Sequence, residues 1–422
     1  MSATTTFAVP APARSQSGPS LLAAPTYNVS IGYLRAFITL LVVAHHAVLA
    51  YNPFAPEPPR SLVVIPRLWQ AFPVVDSERS NLFALLVGCN DIFFMALMFF
   101  VSGLFVWSSM NRKGAANFLR NRALRLGLPF VAAALIVAPL AYYPTYIQSG
   151  AGGGPAGYWH QWRALGNWPA GPAWFVWVLL AFDAIAAGLF FLLPRWGEAL
   201  GRVASGANRR PILVFLLLLA LSCITYVPLA VAFNPFHWSA WGPFTFQTSR
   251  GLHYLVYFLL GIGVGACGLE RGLLTRDGKL ARRWWLWCGA CLLAFGVATV
   301  VGLAAMTVHL GSRLWEIAGD SAFVLSCAAS SFAFLALFVR FGGKHNRVFD
   351  RFSANAYGIY LVHYAFVSWL QLALLKAHLP ALSKGFLVFV SASLLSWGTV
   401  SLLRRIPLGS FLPRSVKNYL AA

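Results

Sequence analysis

Charged side chains are scarce in this chain of 422 residues. Asp, Glu, Lys and Arg make up 10% of it, against about 25% in a typical soluble domain, while hydrophobic residues make up 59%. So few charges cannot cover a water-exposed surface, which argues against a soluble globular enzyme and against a disordered or fibrous protein. The class that remains is an all-α polytopic membrane protein.

The sequence also lacks a recognisable metal or redox pattern. Its six cysteines all lie inside apolar stretches. Cys288 and Cys291 have CxxC spacing, but no second CxxC and no histidine accompany them. We therefore expect packing residues rather than metal ligands, and no metal site.

We expect no secretory signal at the N-terminus. Residues 1–30 are rich in Ala, Pro, Ser and Thr, and the apolar run at 21–24 is too short for the core of a signal peptide. We predict a flexible cytoplasmic tail over 1–30, a transmembrane domain over 31–405 and a short cytoplasmic tail over 406–422.

Long apolar runs are what the chain has in abundance. A membrane helix needs about 20 largely apolar residues. This criterion predicts a bundle of about ten transmembrane helices, at 31–51, 81–107, 126–147, 173–193, 212–233, 251–268, 284–308, 318–339, 356–375 and 385–403.

The basic residues follow the predicted topology. The net charge is +21, and with the N-terminus in the cytoplasm, 24 of the 32 Lys and Arg residues fall on the cytoplasmic side. This bias predicts a multi-pass protein with both termini cytoplasmic, and it accounts for the charge without nucleic acid. The loops 52–80 and 148–172 lie on the other side and could cap a site there.

Ionisable groups at membrane depth are costly and mark functional sites. In the first span, Arg35 and His46 are eleven residues apart, which is about three turns, so they share one face about 16 Å apart along the axis. His46 would lie near mid-membrane, where imidazole can act as a general base. The alternative is a snorkelling arginine and a histidine that only bonds a neighbouring helix.

Two further groups of polar residues stand out. Arg122 and Arg125 are three residues apart near the third span and can bind the phosphates of a cytoplasmic cofactor, or can simply anchor the helix at the membrane surface. In the ninth span, Tyr360 and His363 are also three apart and can face one cavity.

Together these elements resemble the membrane-bound acyltransferase 3 family. They are Arg-x10-His (Arg35, His46), the run FFMALMFFVSG followed by Arg-x-x-Arg (Arg122, Arg125), and the late segment YGIYLVH. The resemblance covers essentially the whole chain after residue 30. The pattern of motifs is similar to that of the glucan- and polysaccharide-modifying branch. One departure is Leu179, which stands where many members have a glutamate, with Asp183 one turn further.

The resemblance implies an O-acyltransferase that uses cytoplasmic acyl-CoA, with acetyl favoured over succinyl, and no permanently bound cofactor. The acceptor would be a hydroxyl of an extracytoplasmic glycan or lipid-linked sugar, and the location the bacterial cytoplasmic (inner) membrane among membrane lipids. His46 would be the base, Arg35 its partner, and Arg122, Arg125 and Arg35 the coenzyme A site. Candidates for the acceptor or oxyanion side are Ser102, Tyr360, His363, Asp183 and Asp91. The competing class is a multi-pass transporter or flippase of a small molecule or lipid-linked glycan.

Overall fold

The computed structural model describes residues 28–307 and 313–405. Apart from residues 28–30, the two predicted tails at 1–30 and 406–422 lie outside the described residues. Within the described part, ten helical segments are long and apolar enough to cross a membrane, which confirms the predicted all-α bundle.

Over residues 28–307 and 313–405, the elements follow one another as helices with one two-stranded hairpin. The order is α1 (Val29–Leu49), α2 (Asn81–Gly103), α3 (Val106–Lys113), α4 (Ala115–Arg122), α5 (Leu128–Ala132), α6 (Ala138–Gln148), α7 (Gly154–Ala164), α8 (Trp174–Leu192), α9 (Trp196–Ser205), α10 (Pro211–Phe233), β1 (Trp238–Trp241), β2 (Phe244–Gln247), α11 (Gly251–Cys267), α12 (Lys279–Arg282), α13 (Trp284–Thr307), α14 (Arg313–Phe341), α15 (Arg347–Leu374) and α16 (Ala381–Leu403).

The third span is a helix interrupted by two wide turns. Segments Ala123–Gly127 and Ala133–Val137 are π-helical and separate α4, α5 and α6. Each wide turn ends two residues before a proline, Pro129 or Pro139. Because proline has no backbone N–H, it cannot donate the hydrogen bond that would continue the regular α-helix. The helix thus accommodates Pro139 with a π turn.

Helices α2 and α11 approach each other at backbone distance. A Cβ atom added to Gly103 would lie 2.2 Å from the Phe258 carbonyl oxygen, and one added to Gly261 would lie 2.2 Å from the Phe100 carbonyl oxygen. Only glycine fits such contacts, so the small-residue run that begins at Gly261 packs α11 onto α2.

The bundle has two different ends. The basic end is the one at which α1 begins, and the loop end is the one at which α1 finishes and the 50–80 loop follows. This loop is fixed to the bundle by an ion pair of 2.8 Å between Lys384 Nζ and Asp76 Oδ2, in which both side chains are 1% exposed. Gln148 adds two hydrogen bonds to the backbone of Val75.

Candidate functional site

Helices α1 and α15 run side by side and in register. At the basic end, the Tyr33 hydroxyl donates to Asp350 Oδ1 (2.7 Å) and accepts from the Asn346 N–H (2.7 Å). Asn346 also caps α15. His46 and His363 each lie thirteen residues after the Tyr33–Asp350 contact, about 20 Å along parallel helices, and therefore meet.

The two histidines form the polar centre of this interface. His46 Nδ1 lies 2.8 Å from the Val42 carbonyl oxygen and 3.3 Å from His363 Nε2. His363 Nδ1 lies 2.7 Å from the Tyr360 carbonyl oxygen. A carbonyl oxygen only accepts, so Nδ1 carries the proton in both rings. His46 Nε2 is then left with a lone pair.

The surroundings of His46 are aromatic. The Tyr364 ring meets His46 edge-on, with centroids 5.0 Å apart, and the His45 ring lies 5.3 Å away. The Tyr364 hydroxyl reaches the carbonyl oxygen of Gln70, in the loop that follows α1 (3.3 Å). His46 belongs to the last turn of α1, near the loop end.

Arg35 lies on the predicted face of α1 but at the opposite end. Its guanidinium donates to the Ser353 carbonyl oxygen (3.4 Å) and the residue is exposed. Ile38 and Val42, which lie between Arg35 and His46, are 0% and 1% exposed. The face that joins the two residues is therefore closely packed.

Arg122 and Arg125 have different environments. Arg122 Nε lies 3.3 Å from Asp183 Oδ2, and the Asp183 side chain is 0% exposed. Arg122 also lies over the Phe118 ring, 5.2 Å from its centroid. Arg125 is exposed and belongs to the first π turn, which is wider than an α turn, so its three-residue spacing from Arg122 does not have α-helical geometry.

One turn of α15 connects two of the predicted arginines. The Tyr357 hydroxyl donates to the Arg125 carbonyl oxygen (3.0 Å), while Arg35 donates to the Ser353 carbonyl oxygen. Ser353 and Tyr357 are four residues apart, so Arg35 and Arg125 flank the same turn at the basic end.

The hydroxyls of Ser102 and Tyr360 are engaged by the backbone. Ser102 Oγ donates to the Met98 carbonyl oxygen (2.8 Å), and Tyr360 donates to the Pro172 carbonyl oxygen. The Tyr360 ring is 5.9 Å from His363, whereas no described contact joins Ser102 to His46.

Asp91 forms a second polar centre. Its carboxylate lies 2.6 Å from the guanidinium of Arg250, whose side chain is 4% exposed, against 40% for Asp91. The Arg250 guanidinium also covers the Phe323 ring at 4.7 Å. His45 is close enough to Asp91 and Arg250 to interact electrostatically with both.

Sequence reasoning missed two of these partners. No sequence pattern identifies the side chain that bonds the His46 ring, which in the described residues is His363. The pairing of Arg250 with Asp91 likewise has no sequence signal, because the two residues are 159 positions apart. No group of three His, Cys, Asp or Glu side chains that could hold a metal occurs in the described residues.

The ten apolar helices found among the described residues define an integral, multi-pass membrane protein. A family model described as an acyltransferase domain, that of the acyltransferase 3 family, matches residues 28–402. The match extends from the cap of α1 to the end of α16, so the chain belongs to this family and is a membrane acyltransferase. Searches of curated proteins and of solved structures gave no match.

Proposed function

We propose that the protein transfers an acyl group from cytoplasmic acyl-CoA to a hydroxyl of an extracytoplasmic glycan or lipid-linked sugar. Both termini would be cytoplasmic, in a bacterial cytoplasmic (inner) membrane. The observation that carries the proposal is the state of His46: Nδ1 is bound to the Val42 carbonyl oxygen, which leaves the Nε2 lone pair for a proton.

In this scheme His46 is the general base. Its Nε2 takes the proton of the acceptor hydroxyl while the hydroxyl oxygen attacks the thioester carbonyl carbon. The carbon–sulfur bond breaks, the acyl group stays on the acceptor oxygen, and the proton passes from Nε2 to the coenzyme A thiolate. No oxidant or metal is needed for this balance.

The donor would bind at the basic end. Arg35 and Arg125 flank one turn of α15, and guanidinium groups suit phosphate oxygens. Arg122 would complete the phosphate site, although its Nε is already engaged by Asp183. Because Ile38 and Val42 close the face between Arg35 and His46, the acyl chain must reach His46 by a local rearrangement of these side chains.

The loop end would receive the acceptor. The partly exposed Asp91 carboxylate, held by Arg250, can accept hydrogen bonds from sugar hydroxyls. By the family resemblance, acetyl is the favoured acyl group.

The test is a comparison of His46→Gln with the wild type in cells. We expect the substitution to abolish an acyl mass increment on surface glycans or lipids, because general-base catalysis contributes about 10²- to 10⁴-fold. Mass spectrometry of both fractions, with and without the gene, measures the increment and identifies the acyl group and its acceptor.

The matched control is His253→Gln. His253 is 0% exposed and lies elsewhere in the bundle, against Cys327. If both variants reach equal levels in the membrane and only His46→Gln loses acylation, the loss reflects chemistry and not folding. Acylation by His46→Gln at the wild-type level would contradict the proposal and favour a transporter or flippase.

A further inference from the structure

We infer that His363 is a positioning residue, which fixes the tautomer and the orientation of His46 by accepting a hydrogen bond from its Nδ1–H. The inference rests on the proposed role of His46 as base. It assigns to an imidazole of α15 the task that a carboxylate performs in the Ser-His-Asp arrangement.

The position of the proton on the His363 ring follows from its surroundings. The side chain is 0% exposed, and its Nδ1 lies 2.7 Å from the Tyr360 carbonyl oxygen, one turn earlier in α15. Nδ1 must therefore carry the proton, and Nε2 keeps a lone pair. That lone pair lies 3.3 Å from His46 Nδ1.

The tautomer of His46 depends on the acceptors around its Nδ1. Its Nδ1–H lies between two acceptors, the Val42 carbonyl oxygen at 2.8 Å and His363 Nε2 at 3.3 Å. If the proton were on Nε2 instead, the Nδ1 lone pair would face both acceptors and be repelled. The pair of acceptors therefore selects the tautomer in which Nε2 is the base.

The two acceptors belong to different helices. The Val42 carbonyl belongs to the same helix as His46 and also accepts the backbone N–H four residues ahead. His363 approaches from α15, so it restrains rotation of the His46 ring relative to the rest of the bundle. When Nε2 takes a proton, the Nδ1–H becomes a stronger donor, and His363 stabilises the imidazolium without receiving the proton itself.

The other side chains around His46 have different partners, so His363 is the one that can orient its ring. Among the described residues, the side chains whose rings contact His46 are His45, His363 and Tyr364. The Tyr364 hydroxyl is directed to Gln70, and His45 stacks on Phe94 with centroids 5.3 Å apart. The ion-paired carboxylates of Asp91 and Asp183 are bound to arginines.

The primary test is ¹⁵N NMR of the histidine-labelled protein in lipid nanodiscs. The variant His46→Gln assigns the His46 signals. We expect the wild type to show a protonated Nδ1 and an unprotonated Nε2 at His46. In His363→Phe the ring is free to rotate away from the Val42 carbonyl oxygen, so we expect a mixture of both tautomers. His363→Gln, whose amide oxygen can accept the same bond, should restore the wild-type pattern, and His253→Phe should leave it unchanged.

The second readout is the slow hydrolysis of acetyl-CoA, with water in place of the acceptor. We expect His363→Phe to lower kcat about 10- to 100-fold with little change in KM, and His363→Gln to recover most of it. A His46 tautomer unaffected by His363→Phe, or an equal loss in both variants, would overturn the inference. Acylation that survives His46→Gln would instead overturn the proposed function.

Discussion

The ion pair between Arg122 and Asp183 illustrates how a single residue can have two roles. Asp183 is 0% exposed and has no other bonded partner among the described residues, while Arg122 is 24% exposed. A carboxylate buried to this degree requires a compensating charge. Arg122 therefore contributes to the stability of the bundle whether or not it also binds a phosphate.

A double-mutant cycle separates these two roles. We expect Arg122→Gln to lower the free energy of unfolding by about 2–4 kcal/mol, because it leaves the buried carboxylate unpaired, and the added Asp183→Asn to restore much of it. Arg125→Gln, at an exposed position, should change stability by less than about 0.5 kcal/mol. Thermal unfolding in nanodiscs measures these changes.

The affinity of the same variants for acyl-CoA tests the second role of Arg122. If Arg122 also contacts the donor phosphates, the double variant regains stability but not affinity for acyl-CoA. Affinity that returns together with stability would show that Arg122 is only structural.

At the scale of elements, the contact between α2 and α11 depends on the absence of side chains. Gly265 is the tightest point, since a Cβ atom there would lie 2.0 Å from the Leu104 carbonyl oxygen. By contrast, a Cβ atom added to Gly289 in α13 meets nothing within 4 Å. The same substitution should thus have opposite consequences in the two helices.

We predict that Gly265→Ala destabilises the protein by about 1–3 kcal/mol, because the backbones of α2 and α11 must separate. Gly289→Ala should be neutral or slightly stabilising, since alanine favours the helix. Thermal unfolding and the monodisperse fraction after detergent extraction measure the effect. Equal stability of the two variants would contradict the close packing.

At the scale of the whole molecule, the described residues contain an even number of spans, which predicts that the two chain ends lie on one side of the membrane. The excess of basic residues predicts that this side is the cytoplasm. The anchored loop of residues 50–80, which carries the buried pair Asp76–Lys384, then covers the opposite end.

Reporter fusions test this orientation. We expect green fluorescent protein joined after Ala422 to fluoresce, since it folds in the cytoplasm, and alkaline phosphatase joined there to be inactive. Alkaline phosphatase inserted after Gly153, between α6 and α7, should be active. The reverse pattern would place acyl-CoA at the other end of the bundle and contradict the proposed donor site.

The sequence by itself determined the ten spans, the basic end and the presence of Arg35 and His46 on one helix. Apolar length and charge bias carry this information because water and lipid act on each segment separately. The family resemblance also followed from motifs along the chain, and the match over residues 28–402 confirms it.

Only the tertiary structure decided which polar residues meet. His46 and His363 are 317 residues apart in sequence, as are Tyr33 and Asp350, whose contact fixes the register of α1 against α15. Periodicity identifies the buried face of a helix but not the neighbour that covers it, which depends on packing across the whole bundle. For the same reason the partners of Asp91 and Asp183 emerged only from the folded chain.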